Sequence, residues 1–191
     1  MSPLVGIFVG GHARRMGGVV KGLLPTADGR SVVERLLAET REALPGAPIA
    51  LVGAASSYDA FGLPSLSDTP PGIGPLGGLR ALLARTAELG LPHALALACD
   101  LPAISAHLIR RLAEAEPAAS AVAPREPGGP WYALSARYAV TALPILDAQI
   151  AADERALQRL FARLGPSAFE LPLTAAELSL LADWDRPEDL G

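Results

Sequence analysis

The sequence predicts a single three-layer α/β domain with a mostly parallel sheet. Two patterns point there. Short apolar runs, of the length and composition of buried strands, alternate with segments whose apolar residues fall at helical spacing. Alternation of this kind closes through right-handed crossovers, which lay the strands side by side and parallel. The length, 191 residues, suits one domain with a substantial core, and neither an internal repeat nor a linker divides it.

The elements follow in chain order. Residues 4–9 read as a buried strand ending in glycines, and 31–44 as a helix with Ser31 as N-cap. A second strand spans 49–52. A loop rich in Gly and Pro runs over 62–78, followed by a helix over 79–89 that Gly90 closes. A third strand, 93–99, leads into Asp100; a helix over 104–115 follows, capped by Ser105 or begun near Pro102. Strands are expected at 119–123, 131–138 and 169–173. The segment 148–164 reads as one helix with Arg155, Arg159 and Arg163 on a solvated face, and 187–190 as a short terminal helix.

In open α/β sheets ligands gather at the carboxyl ends of strands, near a topological switch point. The first strand ends at Gly10 and the third at Asp100, so both are expected at one edge of the sheet. Half the residues are hydrophobic and only 19% charged, which excludes a disordered chain. A net charge of -4 argues against a general nucleic-acid binder, and no apolar run approaches the roughly 20 residues of a membrane span. One cysteine excludes an internal disulfide and a cysteine-based zinc cage; with no signal-peptide pattern, a reducing cytoplasm is the expected location.

The chemistry concentrates in the first turn. Gly10 and Gly11 follow a strand and precede a basic segment with Arg14, Arg15 and Lys21. Glycines there let backbone N–H groups approach phosphate oxygens, and the neighbouring cations suit a triphosphate. A tight turn with positive φ is the alternative. Lys21 is the only lysine in the chain; the other basic residues are arginines. Lysine is a flexible point charge, whereas arginine is a planar fork. No Walker loop occurs. Gly72-Ile73-Gly74-Pro75-Leu76-Gly77 matches a dinucleotide fingerprint in letters only, because it follows a loop and Pro75 lacks an N–H. Its small residues fit a base or ribose lying close to the backbone.

Asp100 either binds a cation, Mg²⁺ by preference, or caps the next helix. Asp185 carries the same two readings. Cys99 reads as packing and His12 as a decoration of the phosphate loop, while His93 and His107 lack metal-ligand spacing and read as structural or surface residues.

Taken together, Gly10-Gly11-x-x-x-Arg15-Met16-Gly17-Gly18-x-x-Lys21 followed by Leu23-Leu24 resembles the signature of the nucleotidyltransferases that attach a nucleotide to molybdopterin, guanylyltransferases most of all. Further matches occur in the expected order: Asp68 with Gly74-Pro75-Leu76-Gly77-Gly78, Cys99-Asp100-Leu101-Pro102, Trp131-Tyr132-Ala133-Leu134 with Tyr138, and Asp185-x-Pro187-Glu188-Asp189-Leu190.

The resemblance implies a Rossmann-like domain of nucleotidyltransferase type over residues 1–191, its N-terminal half binding nucleotide and its C-terminal half the acceptor. It implies Mg²⁺-dependent transfer of GMP from GTP to a molybdopterin-type phosphate. Phe8, Val9, Gly10, Gly11, Gly53 and Asp68 would lie at the nucleotide, Arg15 and Lys21 at its phosphates. Asp100 would carry the metal, helped by Asp183 or Asp185. A molybdoenzyme or chaperone would be the partner that receives the product. The sequence departs from the pattern at Phe8, often Leu; Val20, often Asp; Gly53, commonly Asn; and Asp185, often Asn in guanylyltransferases. CTP or another acceptor therefore stays open, as does a relative that binds nucleotide without turnover.

Overall fold

The computed structural model of the protein describes residues 2–10, 20–26, 28–53, 56–126 and 128–182. Expectations attached to Gly11, His12, Arg14, Arg15, Asp183, Asp185 and residues 187–190 lie outside them.

Strand β1 (Leu4–Phe8) is buried along its whole length, which is why its sequence is uniformly apolar rather than alternating. It runs parallel to β2 (Ile49–Val52) on one side and β4 (His93–Ala98) on the other. Phe8 is in register with Val52 and with Ala98. A two-residue strand, β3 (Ser65–Leu66), extends the sheet beyond β2 from inside the expected loop. Past β4 come β6 (Ser135–Ala139), β5 (Ala121–Ala123) and β7 (Ala168–Glu170), in the order β3-β2-β1-β4-β6-β5-β7. Only β6 runs against its neighbours, so the sheet is mostly parallel.

Alternation within the strands divides the interior into two cores. Val5, Ile7, Leu51, Leu95 and Leu97 pack with Val33, Leu36 and Leu37 of α1 (Val32–Ala43) and Leu108, Ile109 and Leu112 of α3 (Ala106–Glu114). Leu4, Phe8, Ala50, Val52, Ala94 and Ala96 pack with Leu79, Leu82 and Leu83 of α2 (Pro75–Glu88), Leu146 of α4 (Leu143–Ala151), and Leu160 and Phe161 of α5 (Leu157–Leu164). Two helix layers sandwiching one sheet result. The α2 face is lined by small residues for a reason: a Cβ at Gly6 would stand 2.6 Å from a Leu82 methyl, so the helix lies directly on the strand.

Local signals explain most boundaries. Ser31 and Glu34 form a reciprocal capping box at the start of α1. Helix α2 begins four positions before the expected residue 79, because Gly74 turns at φ +70° and Pro75 is pre-set for the first helical position. The expected helix over 148–164 is two helices. Between them Asp153 adopts φ +56°, and the buried Gln149 amide donates to Glu154 O at 2.9 Å and Ala156 O at 3.0 Å, replacing helical bonds. Arg155 pairs with Asp153 and Arg163 with Glu154, so these arginines are spent on local surface pairs. A short α6 (Ala175–Ser179) was not expected from periodicity; it is too brief to show any.

Arg137 of β6 is 1% exposed and donates to Ala113 O at 3.1 Å and Glu116 O at 2.6 Å, closing the end of α3. Its replacement by an apolar chain leaves those carbonyls without a donor. Arg137→Met should therefore lower unfolding free energy by about 2 kcal/mol or more in urea titration.

Candidate active site

The site grows from the register of the three central strands. Cys99 N–H donates to Phe8 O at 3.2 Å, while Val9 and Gly10 N–H donate to Val52 O at 2.9 and 3.3 Å. These bonds bring the chain ends after β1, β2 and β4 to one edge, as the sequence predicts. Gly10 and Gly53 touch there through backbone alone. A Cβ at Gly53 would lie 2.6 Å from Gly10 Cα and 2.7 Å from its nitrogen, and Gly53 sits at φ +94°. Glycine at 53, where the resemblance leads one to expect Asn, thus has an internal reason.

Phe8 and Val9 keep their side chains in opposite cores, each 6% exposed, whereas Gly10 is exposed. What this turn can offer a ligand is main chain. Asp68 lies at the corner where α2 begins: a Cβ at Gly78 would come 3.2 Å from Asp68 Oδ1, 3.0 Å from the Phe8 ring and 2.7 Å from Val52. A Cβ at Gly77 would meet Pro70 O at 2.6 Å. These two glycines are consumed by close packing within the protein, a use that the expected approach of a base does not require. Asp68 is half-buried, and desolvation pushes its carboxyl above the ordinary range.

Asp100 does not cap a helix. Helix α3 starts at Ala106, and its N-cap is Ser105, whose hydroxyl accepts the Leu108 N–H at 3.3 Å. The loop carrying Asp100 is fixed by α1 instead: Arg35 donates to Pro102 O at 2.7 Å, and Glu39 accepts the Ala106 N–H at 2.7 Å. Opposite stands Lys21, in a single 3₁₀ turn (Lys21–Leu23). Lys21 Nζ lies 3.5 Å from Asp100 Oδ2, each side chain partly exposed. The structure therefore unites two of the expected catalytic residues from distant parts of the sequence.

Beside Asp100 opens a cavity of about 550 Å³, lined among the described residues by Ala98, Leu101, Glu126, Tyr132, Leu178 and Leu181, with others. Most of this wall comes from the second half of the chain. Tyr132 donates to Glu126 at 3.0 Å, whereas the neighbouring Trp131 is engaged by the stacked Phe161 ring at 4.6 Å and the Arg125 guanidinium at 5.3 Å. Glu126, Leu178 and Leu181 escape sequence reasoning. One signal was available: Thr174-x-x-Glu177, a capping box that starts α6 and aims its end at the cavity. Glu177 also pairs with Arg111, tying α6 to α3. Those hydrogen bonds, from Thr174 first and then Arg111, pull the Glu177 carboxyl from 4.5 down to about 2. Cys99 is packing, as expected: burial, then the neighbouring Asp100 carboxylate, push its thiol up to about 11.

Main chain at Gly10, the Lys21 ammonium and the Asp100 carboxylate stand together at the carboxyl edge of the sheet, the place where α/β folds of this kind take their ligands. The class is a nucleotidyltransferase. The chain belongs to the MobA-like NTP transferase family, whose domain model matches residues 5–168. A relative from Rhodobacter capsulatus named molybdenum cofactor guanylyltransferase is 34% identical over 187 residues, 97% of this chain and 91% of the relative. Among solved structures, molybdopterin-guanine dinucleotide biosynthesis protein A from Archaeoglobus fulgidus shares the fold, with a TM-score of 0.74 at 21% identity over 98% of this chain and 94% of that one. A Mycobacterium tuberculosis H37Rv protein solved in complex with manganese also shares it, with a TM-score of 0.61 at 19% identity over 95% and 98% of the two chains. No helix among the described residues is long and apolar enough to cross a membrane.

Two measurements check this geometry. Gly53→Ala should cost about 1–3 kcal/mol from the Gly10 contact, with the positive φ adding to it, read by chemical denaturation. The Glu177 carboxyl is lowered in the folded state, so its stabilisation is present above pH 4.5 and lost as pH falls through about 2. Thermal melts of wild type and Glu177→Gln should differ at pH 7 and converge as the pH nears 2.

Proposed function

We propose that the protein transfers GMP from GTP to the terminal phosphate of molybdenum-loaded molybdopterin. Pyrophosphate is released and the guanine dinucleotide form of the cofactor results. The observation that carries this reading is the 3.5 Å approach of Lys21 to Asp100 at the edge where β1, β2 and β4 end. The near full-length similarity to named guanylyltransferases supports the choice of nucleotide and acceptor.

Nucleotide is assigned to the N-terminal half: main chain at Phe8, Val9 and Gly10, with Gly11 and Gly53 beside it and Asp68 toward base and ribose. The acceptor is assigned to the cavity beside Asp100, whose wall is largely C-terminal. An acceptor phosphate oxygen attacks the α-phosphorus of GTP; that P–O bond forms as the bond to the β-phosphate oxygen breaks. Lys21, freed from Asp100 by the incoming charge, bridges the α-phosphate and the attacking phosphate. Arg15 receives the leaving pyrophosphate. The protein's work is to hold two anions together and neutralise developing charge.

The donor set suits a hard divalent ion. Asp100 presents a carboxylate at the strand end, and no group of three or more His, Cys, Asp or Glu among the described residues could hold a metal alone. Mg²⁺ commonly binds through one or two carboxylates plus substrate phosphates. Asp100 would hold it, with Asp185 or Asp183 as the second protein ligand, and the ion would supply charge neutralisation at the phosphates.

Pyrophosphate release in the presence of molybdenum-loaded molybdopterin and Mg²⁺, with a panel of GTP, CTP, ATP and UTP, tests the reading. GTP should be preferred; a preference for CTP would overturn the guanylyl assignment and leave the transfer chemistry. Lys21→Ala should lower turnover about 10²-fold or more, and Lys21→Arg should recover little, because a fork cannot follow a moving phosphate. Full turnover in Lys21→Ala would refute its role.

A further inference from the structure

Strand β5 is parallel to β4, because β6 between them runs against both. Its end at Ala123 therefore leaves the sheet at the same edge as the end of β4 at Ala98. Asp100 lies just past the end of β4, and Glu126 just past the end of β5. With only β6 between, about 10 Å separates the two exits. Both residues line the same cavity.

The turn that carries Glu126 is anchored on both sides. Arg125 and Trp131 face each other in an antiparallel bridge; the Arg125 guanidinium lies 5.3 Å from the Trp131 ring centre, and its Nε donates to Gly129 O at 2.7 Å. Gln158 of α5 accepts the Trp131 N–H at 2.9 Å and donates to Trp131 O at 2.8 Å. Gly129 N–H donates to Glu126 O at 2.8 Å, and a Cβ at Gly129 would stand 2.7 Å from Glu126 Cβ and 3.1 Å from Oε2. Tyr132 donates to Glu126 Oε1 at 3.0 Å. The carboxylate is thus placed by a ring hydroxyl on one oxygen and by a turn that needs glycine beside the other.

The lining of the cavity is one-sided in charge. Ala98, Leu101, Leu178 and Leu181 supply apolar walls, and the charged groups are the carboxylates of Asp100 and Glu126; no lysine, arginine or histidine occurs among the described residues that line it. A phosphate is favoured at the Asp100 end, where the Lys21 ammonium stands 3.5 Å away, and is repelled by Glu126. What an ionised carboxylate selects is a neutral group rich in N–H donors, and apolar walls suit a flat ring carrying them.

We infer that Glu126 is a specificity-determining residue for the acceptor, its carboxylate, oriented by Tyr132, receiving the adjacent N–H donors on the amino-oxopyrimidine edge of a pterin ring. The inference rests on the assignment of a molybdopterin acceptor to this cavity, and adds the direction in which the acceptor lies: phosphate toward Asp100, pterin edge toward Glu126. A carboxylate accepts two neighbouring N–H groups as a pair, which gives geometric selection as well as affinity.

Glu126→Gln keeps the shape of the side chain and turns one acceptor into a donor that opposes the ring N–H. In the transfer assay the KM for molybdenum-loaded molybdopterin should rise about tenfold or more, while the KM for GTP stays within about twofold. Tyr132→Phe keeps the carboxylate but releases its orientation, and should raise the acceptor KM by less, about threefold. Two phosphate-free probes read the ring edge itself: hydroxymethylpterin, and its N-methylated analogue in which neither the amino group nor the ring keeps an N–H. In competition with the acceptor, hydroxymethylpterin should inhibit the wild type about tenfold more strongly than the analogue, and the two should inhibit Glu126→Gln alike. A residue that only braced the turn would leave that ratio unmoved. An unchanged acceptor KM in Glu126→Gln, or equal inhibition of the wild type by both probes, would overturn the role of Glu126 and leave the transfer reaction standing. Absence of transfer to molybdopterin by the wild type with any nucleotide would instead remove the acceptor assignment on which that role depends.

Discussion

Everything at the candidate site depends on β1 lying between β2 and β4. Its hydrogen bonds to both neighbours place Phe8 level with Val52 and Ala98, so three chain segments leave the sheet together. Backbone bonds carry that alignment, and the pattern of buried side chains fixes its register. It holds because β1 is buried on both faces and cannot slip by one residue without exchanging Val5 and Ile7 for Leu4 and Phe8 between the two cores.

Close packing then refines what register begins. Gly10 against Gly53, Gly6 under Leu82, Gly22 against Tyr58, and Gly77 and Gly78 beside Pro70 and Asp68 all occur where any Cβ would force something to move. Four of these five contacts surround the site edge. Glycine there lets rigid elements approach one another closely. The glycine-rich segment that runs into α2 illustrates this: its letters suggest ligand contact, and the structure supplies an internal use for Gly77 and Gly78 in the first turn of the helix.

The charged groups sit on short segments of this frame. Asp100 lies on a loop fixed by Arg35 and Glu39 of α1, and Lys21 on one 3₁₀ turn. Neither belongs to a long regular element, which suits the exchange of partners proposed for them. Across the cavity, α6 is similarly short and is secured by the Thr174–Glu177 box and Arg111. Rigid sheet, short loops and a cavity walled largely by the second half together form the surface to which the proposed reaction is assigned.

The sequence by itself determined the strand–helix alternation, the ends of β1, β2 and β4, the caps at Ser31 and Ser105, and the identity of the charged residues. These are local matters, written in apolar periodicity and in side chains that bond backbone within a few positions. Tertiary structure alone decided the rest. It reversed β6, broke the helix over 148–164 through the buried Gln149 amide, and formed β3 and α6, both too short to carry a period. It also seated Tyr58 against Gly22 and gave Asp100 to Lys21 rather than to a helix end. The strand pairings and the Lys21–Asp100 approach depend on contacts between residues far apart in the chain, which no window of sequence contains; the break at Gln149 is near in sequence but turns on the burial of its amide, which only the packed structure shows.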